Sequence, residues 1–338
     1  MRFVERIWEG DAAADQLVRA ALFPFATFYG RVVAVRGQLY DHGILPSVRS
    51  PIPVISVGNL TVGGTGKTPV ASWIAQRLSE KGAKPAIILR GYGGDEILVH
   101  QQLLPAMPVI AHKYRPEGIR LAARQGATVA VLDDAFQHRR AKRDADIVIV
   151  SADAWTGKVR LIPAGPWREP LESIRRASLA IITRKAATPG EVSEVSRAIA
   201  RVAPDLPQAM VRLRMSGLVK ATNTGETRPV STVSGRKVLA LSAIGDPTAF
   251  AHQLALLGAD VRPVSFRDHH QFSAEEAADI VQHATDYDII VCTLKDAVKL
   301  RSIWPAGGRS LWYVSQSLDV ESGAAQIDNL LGRFRPAK

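Results

Sequence analysis

From residue 54 onward, short apolar runs alternate with amphipathic stretches along the chain. VISVGN, from Val54, is an apolar run that breaks into a Gly-rich turn, and a helix opens at Pro69. Helical periodicity then covers residues 70–81 and stops at Gly82. Residues 85–89, 128–132, 146–150 and 179–183 read as buried strands, and 115–125 as a helix. Strands alternating with helices of this length predict a mostly parallel sheet covered on both faces. After Pro207 the pattern changes. Residues 209–219 and 230–232 flank the polar turn Asn223-Thr224-Gly225-Glu226 and suggest a two-stranded ribbon. Strands at 238–241, 261–264 and 289–291, with helices at 247–257 and 274–285, then repeat the α/β alternation on a smaller scale.

With 338 residues, two domains are the better expectation than one. The pattern divides the chain into an N-terminal apolar and aromatic segment (1–45), a larger α/β domain (46–207), a ribbon connector (208–233) and a smaller α/β domain (234–338). The N-terminal segment does not read as a secretory signal. Glu5, Glu9, Asp11 and Asp15 come first, and no small-residue cleavage site follows. AALFPFATFYG, residues 20–30, is too short to span a bilayer, which needs roughly 20 apolar residues. Two readings stand: a helix lying in a membrane interface with Phe23, Phe25, Phe28 and Tyr29 inserted, or a helix packed on its own domain.

Composition narrows the function classes. The formal net charge of +11 favours an anionic partner, such as a phosphorylated substrate or an acidic membrane surface. No zinc-finger spacing or RNA-binding aromatic signature accompanies it, so nucleic acid is not expected. One cysteine, Cys292, excludes intrachain disulfides and Cys-rich metal sites. Lying in an apolar run, it reads as a small core residue.

The Gly-rich turn carries the chemistry. Thr61-Val62-Gly63-Gly64-Thr65-Gly66-Lys67-Thr68 ends as a phosphate-binding loop does, although Thr61 stands where the usual pattern begins with Gly. Backbone amides of such a loop face nucleotide phosphates, Lys67 reaches the β/γ oxygens, and Thr68 holds Mg²⁺. A second metal-holding group follows in VAVLDD, an apolar run ending in Asp133 and Asp134. Downstream, Gln137, His138, Arg139 and Arg140 offer donors and cations. The loop and the paired aspartates predict ATP and Mg²⁺.

VGNLTVGGTGKTP, LRGYGG, LDDAFQHRR, LIPAGPWREP, RDHHQF and TLKDAVK stand here in the order found in tetraacyldisaccharide 4′-kinases, and the chain resembles that family from about residue 22 to 299. The resemblance implies a P-loop NTPase α/β/α sandwich with a second, smaller α/β domain joined by a β-ribbon. It implies transfer of the ATP γ-phosphate to the 4′-hydroxyl of an acylated disaccharide 1-phosphate in lipid A synthesis. It also implies a peripheral protein on the cytoplasmic face of the inner membrane, and no obligate protein partner is inferred. In the family the base resembles an aspartate–histidine pair. Asp95, in Gly94-Asp95-Glu96, and His269, in Asp268-His269-His270, match it here. Such a pair would be split across the two domains, with Lys67 completing the catalytic set. Glu96, Gln137, His138, Arg168 and Glu169 fall in motifs expected to meet the substrate. Arg168 would grip a phosphate or pair with Glu169 or another carboxylate.

The sequence departs from the family pattern in four places. The GYGG and GDE motifs are fused as Gly91-Tyr92-Gly93-Gly94-Asp95-Glu96. Ala135-Phe136 replaces Gly-Leu, which predicts strain if that position needs a positive φ. Leu294 replaces a Glu, and Gln271 follows the two histidines. A competing class is the regulatory ATPase with a KGGxGKT loop, but Val62 occupies the place of its extra lysine. A nucleotide-binding scaffold without catalysis is the third reading. Neither requires Asp95 and His269 together.

Overall fold

The computed structural model describes residues 3–91, 94–222 and 225–335, apart from the side chains of residues 3, 5 and 9. Tyr92 and Gly93 of the fused loop, Asn223 and Thr224 of the polar turn, and the side chains of Glu5 and Glu9 therefore lie outside the described residues.

The chain opens with helices α1 (Phe3–Glu9) and α2 (Ala13–Asp41), then strand β1 (Val54–Asn59) and helix α3 (Lys67–Glu80). Next come β2 (Pro85–Leu89), α4 (Asp95–Leu103), β3 (Val109–Ala111), α5 (Arg115–Arg124), β4 (Val129–Asp133) and β5 (Ala145–Ser151). After them follow β6 (Leu179–Arg184), α6 (Pro189–Val202), β7 (Gln208–Lys220) and β8 (Thr227–Pro229). The rest is β9 (Lys237–Ser242), α7 (Pro247–Leu256), β10 (Asp260–Ser265), α8 (Ala274–His283), β11 (Ile289–Cys292), α9 (Leu294–Leu300), β12 (Leu311–Ser322) and α10 (Ala324–Gly332).

Two compact units divide these elements. The first holds residues 1–90, 110–211 and 320–338, and the second holds 91–109 and 212–319. The boundaries expected from the sequence include neither the excursion of 91–109 into the second unit nor the return of 320–338 to the first.

In the first unit the strand order is β7-β6-β5-β1-β4-β2-β3. β1 pairs parallel with both β4 and β5, so it lies inside the sheet. Every residue of β1 and β4 is buried, because a parallel strand covered on both faces has no wet side. Alternation assigns the faces. Val54, Ala86, Ile88, Ala130 and Leu132 join Ile119 and Ala122 of α5, while α3 packs on the same strands with Val70, Ile74 and Leu78 buried. The result is the α/β/α sandwich expected of a P-loop NTPase.

α2 is one helix of 29 residues and runs well beyond the apolar stretch at 20–30. It is long and apolar enough to cross a membrane, so the length argument against spanning holds for residues 20–30 but not for the whole helix. Contacts along its second half argue otherwise. The Tyr29 hydroxyl donates to the Arg168 carbonyl at 2.9 Å, Arg36 donates to the Gln137 carbonyl at 3.2 Å, and Arg139 donates to the Gly37 carbonyl at 2.9 Å. A helix pinned there by polar groups lies along its own unit.

The second unit carries the parallel strands β10-β9-β11-β12, then β7, with β8 antiparallel on β7. Its core divides between the two faces. Leu239, Ile290 and Ala277 fall in one cluster, and Val238, Val291 and Leu254 in the other. The ribbon expected at 230–232 forms earlier. Thr227–Pro229 pairs with Gly217–Val219, and Val230–Val233 is a 3₁₀ turn. Pro229 can end an exposed edge strand without losing a ladder bond, and its fixed φ suits the turn that follows. Cys292 is fully buried on β11, and that burial pushes its thiol well above the usual range, as an inert core residue requires.

Candidate active site

In the first unit, β1 delivers the phosphate-binding loop. Gly63 (φ 108°) and Gly66 (φ 83°) take left-handed conformations that favour glycine, and α3 begins at Lys67. Gly63 and Gly64 are exposed. The Lys67 ammonium curls back to the Gly63 carbonyl at 3.2 Å, so its charge lies over the loop. Thr65, expected to touch nucleotide, is instead turned inward. Its hydroxyl accepts from the Asn59 amide at 2.8 Å, and its carbonyl accepts from the Thr183 hydroxyl at 3.1 Å. Thr65 thus braces the loop's shape. Thr61 bridges to Trp167 through the backbone, which ties the loop to the segment carrying Arg168.

The paired aspartates end β4 beside this loop. The Thr68 hydroxyl donates to Asp133 Oδ2 at 3.2 Å, and the buried Asp133 also accepts the Asp134 amide at 2.8 Å. Asp134 has φ 45°, so the backbone strain expected at Ala135 falls one residue earlier. Gly58 makes this turn possible, because a Cβ there would lie 2.7 Å from the Phe136 nitrogen. Arg168 reaches both carboxylate oxygens of Asp134, at 3.0 and 3.1 Å. Of the alternatives open for Arg168, the structure records a carboxylate pair, with Asp134 rather than Glu169. Glu169 is buried against Arg176 at 2.7 Å.

Arg115 had no role in the sequence reading beyond opening a helix. Buried at 4% exposure, it donates to the carbonyls of Asp133 and Asp134, both at 3.0 Å. This grip fixes the strand end that presents the two carboxylates. The other expected substrate residues are partly engaged within the fold. Gln137 donates its amide to the Asn59 carbonyl at 2.7 Å. His138 is pushed down to about 4 by burial, assisted by Arg115, Arg90, Arg143 and Arg36, so at neutral pH it is an uncharged imidazole. Its Nε2 is buried without a hydrogen-bond partner among the described residues.

The second unit holds a separate cluster at the start of α4. Gly94 (φ 74°) caps that helix, and Asp95 is its first residue, 2% exposed. Asp95 Oδ1 accepts the Glu96 amide at 3.1 Å, and Oδ2 lies 3.0 Å from His269 Nδ1. The structure therefore brings Asp95 and His269 together. Both belong to the second unit, which corrects the expectation of a pair split across domains, because residues 91–109 fold with that unit. His269 has φ 61°, an unusual conformation for a histidine, and its side chain is 44% exposed. His270 is engaged elsewhere. It binds Glu276 at 3.0 Å and stacks on Phe266 with ring centroids 5.0 Å apart. Lys295, which the sequence reading passed over inside TLKDAVK, sits 3.5 Å from Asp95 Oδ2 and 3.2 Å from His269 Nε2.

Comparison with known proteins agrees with this inventory. The family model described as tetraacyldisaccharide-1-P 4′-kinase matches residues 18–97 and 93–334. The two stretches meet where GYGG and GDE are fused. A tetraacyldisaccharide 4′-kinase of Anaeromyxobacter dehalogenans is 36% identical over 91% of this chain and 88% of its own. That of Halorhodospira halophila is 35% identical over 95% of each. The crystal structure of LpxK from Aquifex aeolicus in complex with ATP superposes with a TM-score of 0.73 at 29% identity, covering 94% of this chain and all of that one. These matches favour the kinase over the regulatory ATPase and the scaffold. Matched from residue 18 to residue 334, the chain belongs to the tetraacyldisaccharide-1-P 4′-kinase family, the ATP-dependent kinases of lipid A biosynthesis.

Proposed function

We propose that the chain carries out its family's reaction, transfer of the ATP γ-phosphate to the 4′-hydroxyl of an acylated disaccharide 1-phosphate, with its two units supplying different parts. The first unit binds the nucleotide. The amides of the exposed Gly63 and Gly64, with the Lys67 ammonium over the loop, offer positive charge to the phosphates. Thr68, Asp133 and Asp134 hold Mg²⁺. The fit rests on the donor set: a hydroxyl and a carboxylate already 3.2 Å apart, with a second carboxylate adjacent, are the hard oxygen ligands that Mg²⁺ takes beside phosphate and water. When bound, the metal neutralises charge on the β- and γ-phosphates.

The second unit supplies the base. Phosphoryl transfer is mostly positioning and charge stabilisation, and the attacking hydroxyl needs an acceptor for its proton. Asp95 Oδ takes that proton, and His269 holds the carboxylate in place. The observation that carries this reading is the 3.0 Å contact between Asp95 Oδ2 and His269 Nδ1 at a carboxylate buried to 2%.

The substrate is a lipid, and α2 offers apolar surface to match. Leu17, Phe25, Phe28, Val32 and Val35 are 71%, 65%, 71%, 49% and 54% exposed. At about 100° per residue they share one face, opposite the buried Ala26 and opposite Gly30, where a Cβ would lie 2.7 Å from Leu161. Such a stripe suits a helix lying in a bilayer interface, and together with the family's ATP-dependent reaction it supports a peripheral protein on the cytoplasmic face of the inner membrane. The test is transfer of label from γ-labelled ATP to detergent-solubilised tetraacyldisaccharide 1-phosphate, with Mg²⁺ present or chelated. Metal-dependent labelling of the lipid is expected. ATP hydrolysis with no lipid labelled would overturn the assignment.

A further inference from the structure

The cluster around Asp95 contains a cation to which the proposed mechanism gives no role. Lys295, at the start of α9, places its Nζ 3.5 Å from Asp95 Oδ2, 3.2 Å from His269 Nε2 and 3.5 Å from Asp268 Oδ1. Its side chain is 24% exposed. The rest of α9 is fixed to the same turn. Lys299, one helical turn on, donates to the His270 carbonyl at 3.0 Å and pairs with the buried Asp296 at 3.2 Å. Asp296 in turn accepts the Ala243 amide at 3.1 Å, and the His269 amide donates to the Ala243 carbonyl at 3.3 Å. Lys295 and His269 are thus set by one framework.

A protonated lysine has three donors and no acceptor, so its contact with His269 Nε2 is a hydrogen bond only if that nitrogen carries a lone pair. The ring proton must then sit on Nδ1, which is hydrogen-bonded to Asp95 Oδ1 at 3.3 Å and lies 3.0 Å from Oδ2. Among the described residues, the charged groups facing His269 are Asp95 from α4, Lys295 from α9 and Asp268 from its own turn, whose Oδ1 is 4.0 Å from Nε2. Asp268 is too far for a hydrogen bond to Nε2 and pairs instead with Lys295. A proton on Nε2 would face the ammonium directly.

We propose that Lys295 is a positioning residue: it locks His269 in the tautomer that donates from Nδ1 to Asp95, so that the carboxylate is oriented to accept the hydroxyl proton. This inference rests on the reading of Asp95 as base, but its structural core does not. The tautomer can be measured whether or not Asp95 is the base. Without Lys295 the imidazole is free to donate from Nε2, and the Nδ1 lone pair would then oppose the carboxylate.

The test is ¹⁵N NMR of the full chain labelled at histidine, with the His269 signals assigned by a His269→Gln variant, alongside steady-state kinetics. In the wild type the pattern expected is a protonated Nδ1 with an unprotonated Nε2; a protonated Nε2 there would overturn the proposal with no variant needed. Lys295→Met is expected to mix the tautomers. It should lower kcat roughly 10- to 100-fold, the scale seen when a group that orients an imidazole is lost, with KM for ATP within about twofold. Lys295→Arg, which keeps the donors, should restore the tautomer and most of kcat. A Lys295→Met enzyme with wild-type kcat and tautomer refutes the proposal. Full turnover in Asp95→Ala with the expected tautomer intact would instead refute the base assignment alone.

Discussion

Replacing Asp95 with Ala separates a catalytic base from a structural cap. The carboxylate is 2% exposed and faces the Glu96 amide at 3.1 Å, His269 Nδ1 at 3.0 Å and Lys295 at 3.5 Å. Alanine removes the acceptor from all of them. The structural loss is bounded, because Lys295 keeps Asp268 at 3.5 Å and His269 is partly exposed, so only the amide and one imidazole donor lose a protein acceptor. At about 1–3 kcal/mol for a buried group left unsatisfied, the variant should stay folded with a lower urea midpoint. The kinetic loss is larger. A positioned general base contributes about 10²- to 10⁴-fold, or roughly 2.7 to 5.4 kcal/mol of barrier. Label transfer from γ-labelled ATP to the lipid, run at saturating ATP, should therefore fall by that factor. ATP affinity should hold within about twofold, because the nucleotide is assigned to groups of the other unit. Turnover within about threefold of wild type in a folded variant would refute the base. Equal losses in turnover and ATP affinity would mean that Asp95 shapes the nucleotide site instead.

Other changes test other parts of the site. Lys67→Ala should weaken ATP binding by isothermal titration and also lower kcat by about 10²-fold or more, since its charge serves both the ground state and the transition state. Unchanged ATP affinity would count against the loop assignment. His138 takes a proton only near pH 4 in the folded chain but near 6.5 when unfolded, so acid favours unfolding between those values. Its contribution is whole above about pH 6.5 and fades as pH falls toward 4. His138→Gln should accordingly show a smaller drop in urea midpoint from pH 7 to 4.5 than the wild type, and an identical drop would refute the burial argument. Phe25→Glu with Phe28→Glu alters residues 65% and 71% exposed, so thermal stability should hold while co-sedimentation with anionic vesicles falls several-fold. Undiminished sedimentation would remove α2 from the membrane contact.

What the sequence revealed depended on how local each signal was. β1, β2, β4, β5 and β6 were legible because strands buried on both faces must be apolar without alternation. The phosphate loop was legible because glycines and a lysine at fixed spacing have a backbone reason to be there. Helix α4 was not, since DEILVHQQL places few apolar residues on any one face and starts from a Gly-rich turn that reads equally well as loop. The full length of α2 was not legible either, because Arg31 and Arg36 interrupt the apolar pattern that follows residues 20–30. Arg36 instead spends its charge on the Gln137 carbonyl, a partner that lies in another segment of the chain. Arg115 and Lys295 were missed for the same reason. Each is an unremarked cation at a helix start, and its meaning comes from the Asp133 and Asp134 carbonyls or from Asp95 and His269. Nothing in the immediate neighbourhood of a lysine or arginine records such distant partners. The motif strings of the family carried Asp95 and His269, which periodicity and composition alone did not mark.

If the acceptor is held in a bilayer as proposed, the docking of α2 bears on how it and a soluble nucleotide are handled by one chain. The residues that receive the helix are those flanking the phosphate loop. Tyr29 binds the carbonyl of Arg168, whose side chain grips Asp134, and Arg36 binds the carbonyl of Gln137, whose side chain is tied to the end of β1. Arg139 binds back to Gly37 and, at 2.6 Å, to Asp41. The same short loops therefore have one side at the proposed nucleotide site and the other on the helix. If the apolar stripe lies in the interface as proposed, the depth of the helix sets the height of the phosphate loop above the acyl chains through a few hydrogen bonds. No flexible linker intervenes between Tyr29 and the loop it contacts. Tyr29→Phe removes one of those bonds and leaves the stripe intact. It should leave vesicle binding unchanged and raise KM for the lipid more than KM for ATP, whereas an equal rise in both would mean that the bond only stabilises the fold around Arg168.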